Sequence, residues 1–397
     1  MKVLGREDVD DVKRLELAAD LMEIDRRAFW CCPGLEWIEV SAENANFVSV
    51  DGVLFNKDKT TLIKYPAKKA GDSYSVPDGV TVIGVDAFAY CDNLETIVLP
   101  DGVSDIGDSA FAYNDKLKNL NIPTSVKIIR NLAFCVCSGF ENFTLPDSVK
   151  LEGKVFLNCM ALEEFIVSET ESEDKELLCL DGVLYNHDKT ILLDYPIGNK
   201  RDTFQIPDGI KEISPGTFEG AGNLKSITIP DSVQLIGHNA FNSCWELESI
   251  VIPDGVPKIS RQTFMWCEGL KSIKLPNSIK RIGNSAFSQC TKLESIDIPA
   301  GLTSIGGDAF SGCASLEEII IPDGVSAIEM SAFACCFKVE NILLPKGLKS
   351  IGPFAFSSCK NLKTITIPAG VTEIDEQAFD RCDCIIKREE LEEKIKE

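Results

Sequence analysis

Histidine is almost missing from this chain of 397 residues, which has two, His187 and His238. Both fall in stretches that read as exposed loops, and sequence ties neither to a nucleophile, so a histidine general base has little to be built from. No glycine-rich phosphate loop, G-x-S-x-G elbow or H-E-x-x-H pair occurs. Paired carboxylates abound, but none is singled out as a catalytic pair. No enzyme and no cofactor are therefore expected. Apolar runs of the roughly 20 residues that cross a bilayer are absent, so no membrane insertion is expected. The opening "MKVLGREDVDDVKRLELAADL" places acids where a secretory signal would carry its apolar segment, which argues against a signal peptide or anchor in it. Positive charge is also short, with 40 bases against 62 acids, a net −22 and a pI near 4.6. Such a field repels phosphate backbones and anionic lipid, which excludes nucleic acid and the membrane surface as partners.

What the chain does have is apolar residues, at 44% with a mean hydropathy of +0.03, enough to build a core. It also has a ruler. Pro77, Pro100, Pro123 and Pro146 stand 23 residues apart, and Pro207, Pro230, Pro253, Pro276, Pro299, Pro322, Pro345 and Pro368 resume the spacing. Self-similarity at this period marks a solenoid and overrides a domain count taken from length. One unit reads "PAGLTSIGGDAFSGCASLEEIII" (299–321). Its "LEEIII" alternates as a half-buried strand, and the next proline stops it because it cannot donate to a ladder. In the following turn the glycine slot holds serine in four units (Ser125, Ser148, Ser232, Ser278), so positive φ is not compulsory and a type I turn fits. A second extended piece follows. The "xxAFxxC" segment then predicts one helical turn with Ala, Phe and Cys on one face. The repeat phenylalanines would stack in a column about 4.8 Å apart if the strands pair in parallel.

Sixteen cysteines are many for this length. Eleven of them sit three residues after the repeat phenylalanine or its equivalent, at 32, 91, 137, 159, 244, 267, 290, 313, 336, 359 and 382. Asn114 and Ala221 take the same slot, so it reads as a demand for a small buried side chain. Zinc would want matched C-x2-C pairs, whereas here the pairs are C-x-C (Cys135/Cys137, Cys382/Cys384) or vicinal (Cys31/Cys32, Cys335/Cys336), with no histidine nearby. No metal site is expected, and free thiols are. The acidic run "SETESEDKE" (168–176) lacks the D-x-D-x-D-G spacing of a calcium loop and reads as solvated.

Two stretches interrupt the ruler and resemble each other, "VDGVLFNKDKTTLIKYP" (50–66) and "LDGVLYNHDKTILLDYP" (180–196). Each reads as a hairpin of two apolar strands around an Asn-x-Asp-Lys turn. The expected organisation is an N-terminal helical cap over 1–20, a partial repeat over 21–40, a hairpin insert over 41–76 and four repeats over 77–167. A second insert over 168–206, eight repeats over 207–386 and a charged helical tail over 387–397 complete one continuous solenoid.

The unit "LxxIxLPxxVxxIGxxAFxxCxx" resembles the BspA-like, Treponema pallidum-type leucine-rich repeat, over roughly residues 21–386. The "DGVLYNxDKTxLxxYP" hairpin resembles an element found between such repeats. The resemblance implies an α/β solenoid, a right-handed horseshoe with its parallel strands on the concave face. It also implies a protein-binding or adhesin-like role at a bacterial or protist surface. On such a face the third and fifth strand positions point outward. Val251, Ile320, Leu343, Asn119, Asn121 and Trp37 are the candidate partner contacts there. Tyr90, Tyr113 and Trp266, two residues after the repeat Phe, read as cover for the helical edge. The partner expected is a protein, such as a host or matrix protein, or a glycan, met by a monomeric scaffold. The alternatives are an intracellular assembly scaffold and a carbohydrate-active module that uses the inserts as a lid.

Overall fold

The computed structural model describes residues 12–25, 28–29 and 32–389. They fall into two compact units. The first runs to His187 and takes in Pro196–Asn199; the second comprises Asp188–Tyr195 and the described residues from Lys200 onward.

Each unit is a β-solenoid. The regular coils contribute one strand, of two to five residues, from the L-x-x-I-x-L segment and one two-residue strand after the turn. In the first unit Ser73–Ser75, Thr96–Val98 and Asn119–Asn121 pair in parallel, with Asn119 opposite Thr96, 23 residues earlier. Where the sequence is one residue short, Asn142 meets Glu164, 22 residues on, and five consecutive residues of the two strands stay in register as a separate two-stranded sheet. In the second unit Thr203–Gln205, Ser226–Thr228, Ser249–Val251, Ser272–Lys274 and Ser295–Ile296 form one parallel ladder. Glu318–Ile320 pairs in the same way with Asn341–Leu343, and Thr364–Ile367 with Ile385–Arg388. Between the two strands of each coil lie fully buried Leu, Val, Ile, Ala and Phe side chains. One coil cannot cover both faces of this core, so each depends on its neighbours.

The described residues contain no helix, which corrects the α/β assignment. The reason lies in the "xxAFxxC" arc. In the coil around Phe287, Ser285 and Gln289 adopt φ of 53° and 63°. Every second residue turns its N–H out of its own coil: Ser285, Phe287 and Gln289 donate to the carbonyls of Gly307, Ala309 and Ser311 at 2.9, 2.8 and 2.7 Å. The residues between them donate three back within the coil, Ala286 to Gly283, Ser288 to Ser285 and Cys290 to Phe287. A left-handed residue on either side of the phenylalanine breaks the run of right-handed dihedrals a helix needs. Neighbouring coils receive the hydrogen bonds instead.

The phenylalanines stack as a column. Phe88, Phe111, Phe134 and Phe156 follow one another with centroids 5.2 to 5.4 Å apart in the first unit. From Phe218 to Phe379 the spacing is 5.2 to 5.7 Å in the second. This exceeds the strand spacing because the rings are offset along the column.

The inserts are built into the coils. Tyr65 stands 23 residues before Phe88, stacks on it at 5.4 Å, and donates its N–H to the carbonyl of Ala87. Tyr195 occupies the same place before Phe218, at 5.0 Å. Lys64 therefore sits in the slot of the repeat alanine, buried, with its ammonium donating to the carbonyls of Asp86 and Ala89 at 2.8 and 3.2 Å. Burial lowers its pKa. Upstream, Phe47–Val50 and Val53–Asn56 are antiparallel, and Val53–Asn56 is antiparallel to Thr61–Lys64. The first insert is thus a three-strand meander, one hairpin more than expected. Its extra turn is Asp51-Gly52 with φ of 48° and 75°, the doubly positive pair of a type I′ turn. Asp181 and Gly182 repeat it at 51° and 77°.

Two expected helical segments differ as well. Arg14–Leu17, placed in a helical cap, is a strand parallel to Trp37–Val40. Ile385–Arg388, whose last two residues open the expected charged helical tail over 387–397, is a strand parallel to Thr364–Ile367, with Arg388 opposite Ile367. Residues 1–11 and 390–397 lie outside the described residues.

Candidate functional site

The outward side of the long-strand ladders is where the candidate residues fall. Alternation along each strand puts the central isoleucine or leucine into the core and its two neighbours outside. Ile320 and Leu343 are register partners on adjacent strands, and each exposes more than half its surface (55% and 56%). Two aliphatic side chains standing side by side in water form a small apolar platform. Val251 is equally exposed at 56%, but Lys274 and Asp297 hold the same column between it and Ile320. The three therefore do not make one continuous strip. That column is read as Val251, Lys274, Asp297, Ile320, Leu343 and Thr366.

Asn119, Asn121 and Trp37 belong to the first unit. Asn119 is exposed and donates from Nδ2 to Thr96 Oγ1 at 3.2 Å, which makes it a rung between two coils. Asn121 is exposed opposite Val98. Trp37 is half-buried and already engaged. Its Nε1 donates to Glu39 Oε2 at 2.8 Å, and Lys69 Nζ lies 4.8 Å from the ring centroid. A Cβ on Gly52 would come within 2.5 Å of the ring, so the indole lies directly on the type I′ turn. Its role is to fasten the hairpin. Val98 (51% exposed) and Ile166 (42%) are further apolar residues of this outward face, beyond the six expected from sequence. Writing the fifth strand position as a column, coil by coil, is enough to find them.

The cysteine ladder is inward. Cys137, Cys159, Cys244, Cys267, Cys290, Cys313, Cys336 and Cys359 are buried. Each thiol donates to the carbonyl of the phenylalanine in the preceding coil, at 3.0 to 3.3 Å. Asn114 Nδ2 makes the same bond to Phe88 at 2.9 Å. The slot thus favours a small donor, beyond small size alone. Burial pushes Cys91, Cys313 and Cys359 up to about 12. A thiol held protonated is a poor nucleophile and a poor metal ligand. In the vicinal pair, Cys336 is buried in the ladder, while Cys335 is half-exposed on the arc with φ of 59°.

The other singled-out features are also structural. Tyr90 and Tyr113 stack on each other at 4.6 Å along the arc. The acidic run is tied down by Asp147, which accepts from Thr170 N at 3.2 Å and Oγ1 at 2.6 Å and pairs with Lys175. His187 and His238 stand in different units, and among the described residues no three His, Cys, Asp or Glu side chains gather around one point. No helix among them is long and apolar enough to cross a membrane.

The model of the BspA type leucine rich repeat region matches this sequence over residues 67–175, 198–296 and 280–396. The chain belongs to the BspA-type leucine-rich-repeat family. A leucine-rich repeat protein from Eubacterium ventriosum is 26% identical, with 85% of this chain and 93% of that one aligned at a TM-score of 0.63. The Treponema pallidum leucine-rich repeat protein is 29% identical over 49% of this chain and 91% of its own, at a TM-score of 0.41. The pneumococcal vaccine antigen PcpA is 19% identical over 96% of this chain and 90% of its own, at 0.53, a likeness of fold. No curated protein matches. BspA-type coils thus supply a repeat scaffold, a fold that generally serves protein interaction.

Proposed function

We propose that this BspA-type chain is a non-catalytic, adhesin-like scaffold that binds a protein partner through the outward face of its long strands. Ile320 and Leu343 are the anchors. The observation that carries the reading is their adjacency: two aliphatic side chains, each more than half exposed, on register-paired strands of a rigid ladder. Apolar anchors on a preformed surface bind with little ordering cost. Asn341 and Glu318 border them on the same strands and give the patch a polar rim. Affinity capture with the wild-type chain and with I320D/L343D tests it. The double variant is expected to lose the specifically captured protein while unfolding at the wild-type denaturant concentration. Equal capture by both would remove this patch as the interface.

The fifteen described cysteines, all free thiols, favour a second setting for the same scaffold, a reducing compartment in which it organises an assembly. Fractionation of the source cells separates the two. An exclusively cytosolic chain would overturn the adhesin reading, and a surface-accessible one would overturn the assembly reading.

A further inference from the structure

The second unit carries a cleft of about 500 Å3 on its short-strand side, a different strand column from the one that holds Ile320. Lys258, Arg281, His238, Arg261 and Asn284 are among the residues that line it. Lys258 and Arg281 are register partners on adjacent parallel strands. Like charges placed directly opposite destabilise a sheet. Here they are placed so in a chain with 62 acids against 40 bases. Among the described residues none of Lys258, Arg261 and Arg281 makes an ion pair or a side-chain hydrogen bond. Glu212, at one end, is the one acid on the lining.

In the equivalent columns of the first unit the same architecture pairs its cation internally. There Arg130 is answered from both neighbouring coils. Its Nη2 and Nε reach Asp105 at 2.7 and 3.1 Å, and its Nη1 reaches Glu152 at 3.2 Å. In the second unit the position of Asp105 is held by Lys258 and Arg281, so these cations face each other where the first unit places an acid, and Glu212 is the one acid on the lining. Glycine lets the coils beneath the cleft stack closely: a Cβ on Gly283 would come within 2.7 Å of the Arg261 backbone nitrogen, and one on Gly237 within 2.4 Å of the Pro215 backbone nitrogen.

We propose that this cleft binds a small phosphomonoester, with the Arg281 and Arg261 guanidinium groups and the Lys258 ammonium around its phosphate oxygens. Two guanidinium forks offer paired donors that match tetrahedral oxyanions. Three positive charges and a nearby imidazole suit a phosphate monoester, which carries close to two negative charges at neutral pH, better than a singly charged carboxylate. The volume leaves room for an organic body of about sugar size beside the phosphate.

Inorganic phosphate is the probe, titrated into the full chain at low ionic strength and followed by calorimetry and by the guanidinium NMR signals. Saturable binding is expected, weaker as salt rises and stronger than that of sulfate. K258E/R281E is expected to weaken it by roughly tenfold or more, and K258Q/R281Q to weaken it less. K346E/K349E, which changes the net charge as much through exposed lysines outside the cleft, is expected to leave it unchanged. Absence of saturable binding, equal loss in K346E/K349E, or sulfate binding as tight as phosphate would each overturn the proposal.

Discussion

At the residue scale the repeat cysteine is a donor. Its thiol reaches the carbonyl of the phenylalanine one coil back, which already receives one N–H within its own coil, as Phe264 does from Cys267. Replacing Cys290 by alanine removes that second bond and leaves a small void. Stability is expected to fall by about 1–2 kcal/mol, read as a lower urea midpoint with unchanged slope. The ladder also makes the fold sensitive to alkali. Burial raises Cys91, Cys313 and Cys359 to about 12, above the unfolded thiol near 8.5. An acid with a raised folded pKa stabilises the fold fully below its unfolded pKa and loses that contribution as pH rises through the folded one. The urea midpoint is therefore expected to drop steadily between pH 8.5 and 12, and a flat profile over that range would contradict thiol burial. The small-side-chain demand of this slot was legible from Asn114 and Ala221. The carbonyl that the donor satisfies lies 26 residues earlier, as in Cys290 to Phe264, and no local pattern displays it.

At the element scale the arc between the strands separates the sequence reading from the structure. Ala-Phe-x-x-Cys has the spacing of a helical turn, and local pattern alone cannot distinguish that from an arc with alternate left-handed residues. The decision is made by inter-coil hydrogen bonds, such as Phe287 to Ala309, which exist only once the coils stack. The positive-φ positions are held by tyrosine, serine, glutamine, leucine and tryptophan, so no run of glycine advertises them. Gln289 provides the discriminating substitution. In a helix, glycine there would cost about 1 kcal/mol. At φ of 63° it relieves strain, so Q289G is expected to be neutral or stabilising by up to about 1 kcal/mol. Q289V is expected to destabilise by about 1–2 kcal/mol, because a β-branched side chain tolerates this region poorly. Thermal unfolding of the two variants checks both signs. By contrast, the extra hairpin was readable, since Asp51-Gly52 and Asp181-Gly182 carry the Asp-Gly signature between apolar runs.

At the scale of the whole molecule, a sequence with a strict period reveals its coils and its core. Proline spacing, strand alternation and the phenylalanine column could all be read before any coordinates, because each repeats at every turn. The departures from the period become legible only when residues far apart in sequence are set side by side. Ile320 and Leu343 are one coil apart in a column, and so are Lys258 and Arg281. What each pair can do depends on exposure and on missing counter-charges, which a linear reading does not contain.

The claim that the long-strand face is the protein-binding surface is tested most directly by placing a photo-crosslinking residue at Leu343 and, separately, at Lys360 beside Phe337 on the arc. Irradiation in the presence of the captured partner is expected to join the partner to the chain through position 343 and not through position 360. Joining through 360 alone, with none at 343, would contradict the account.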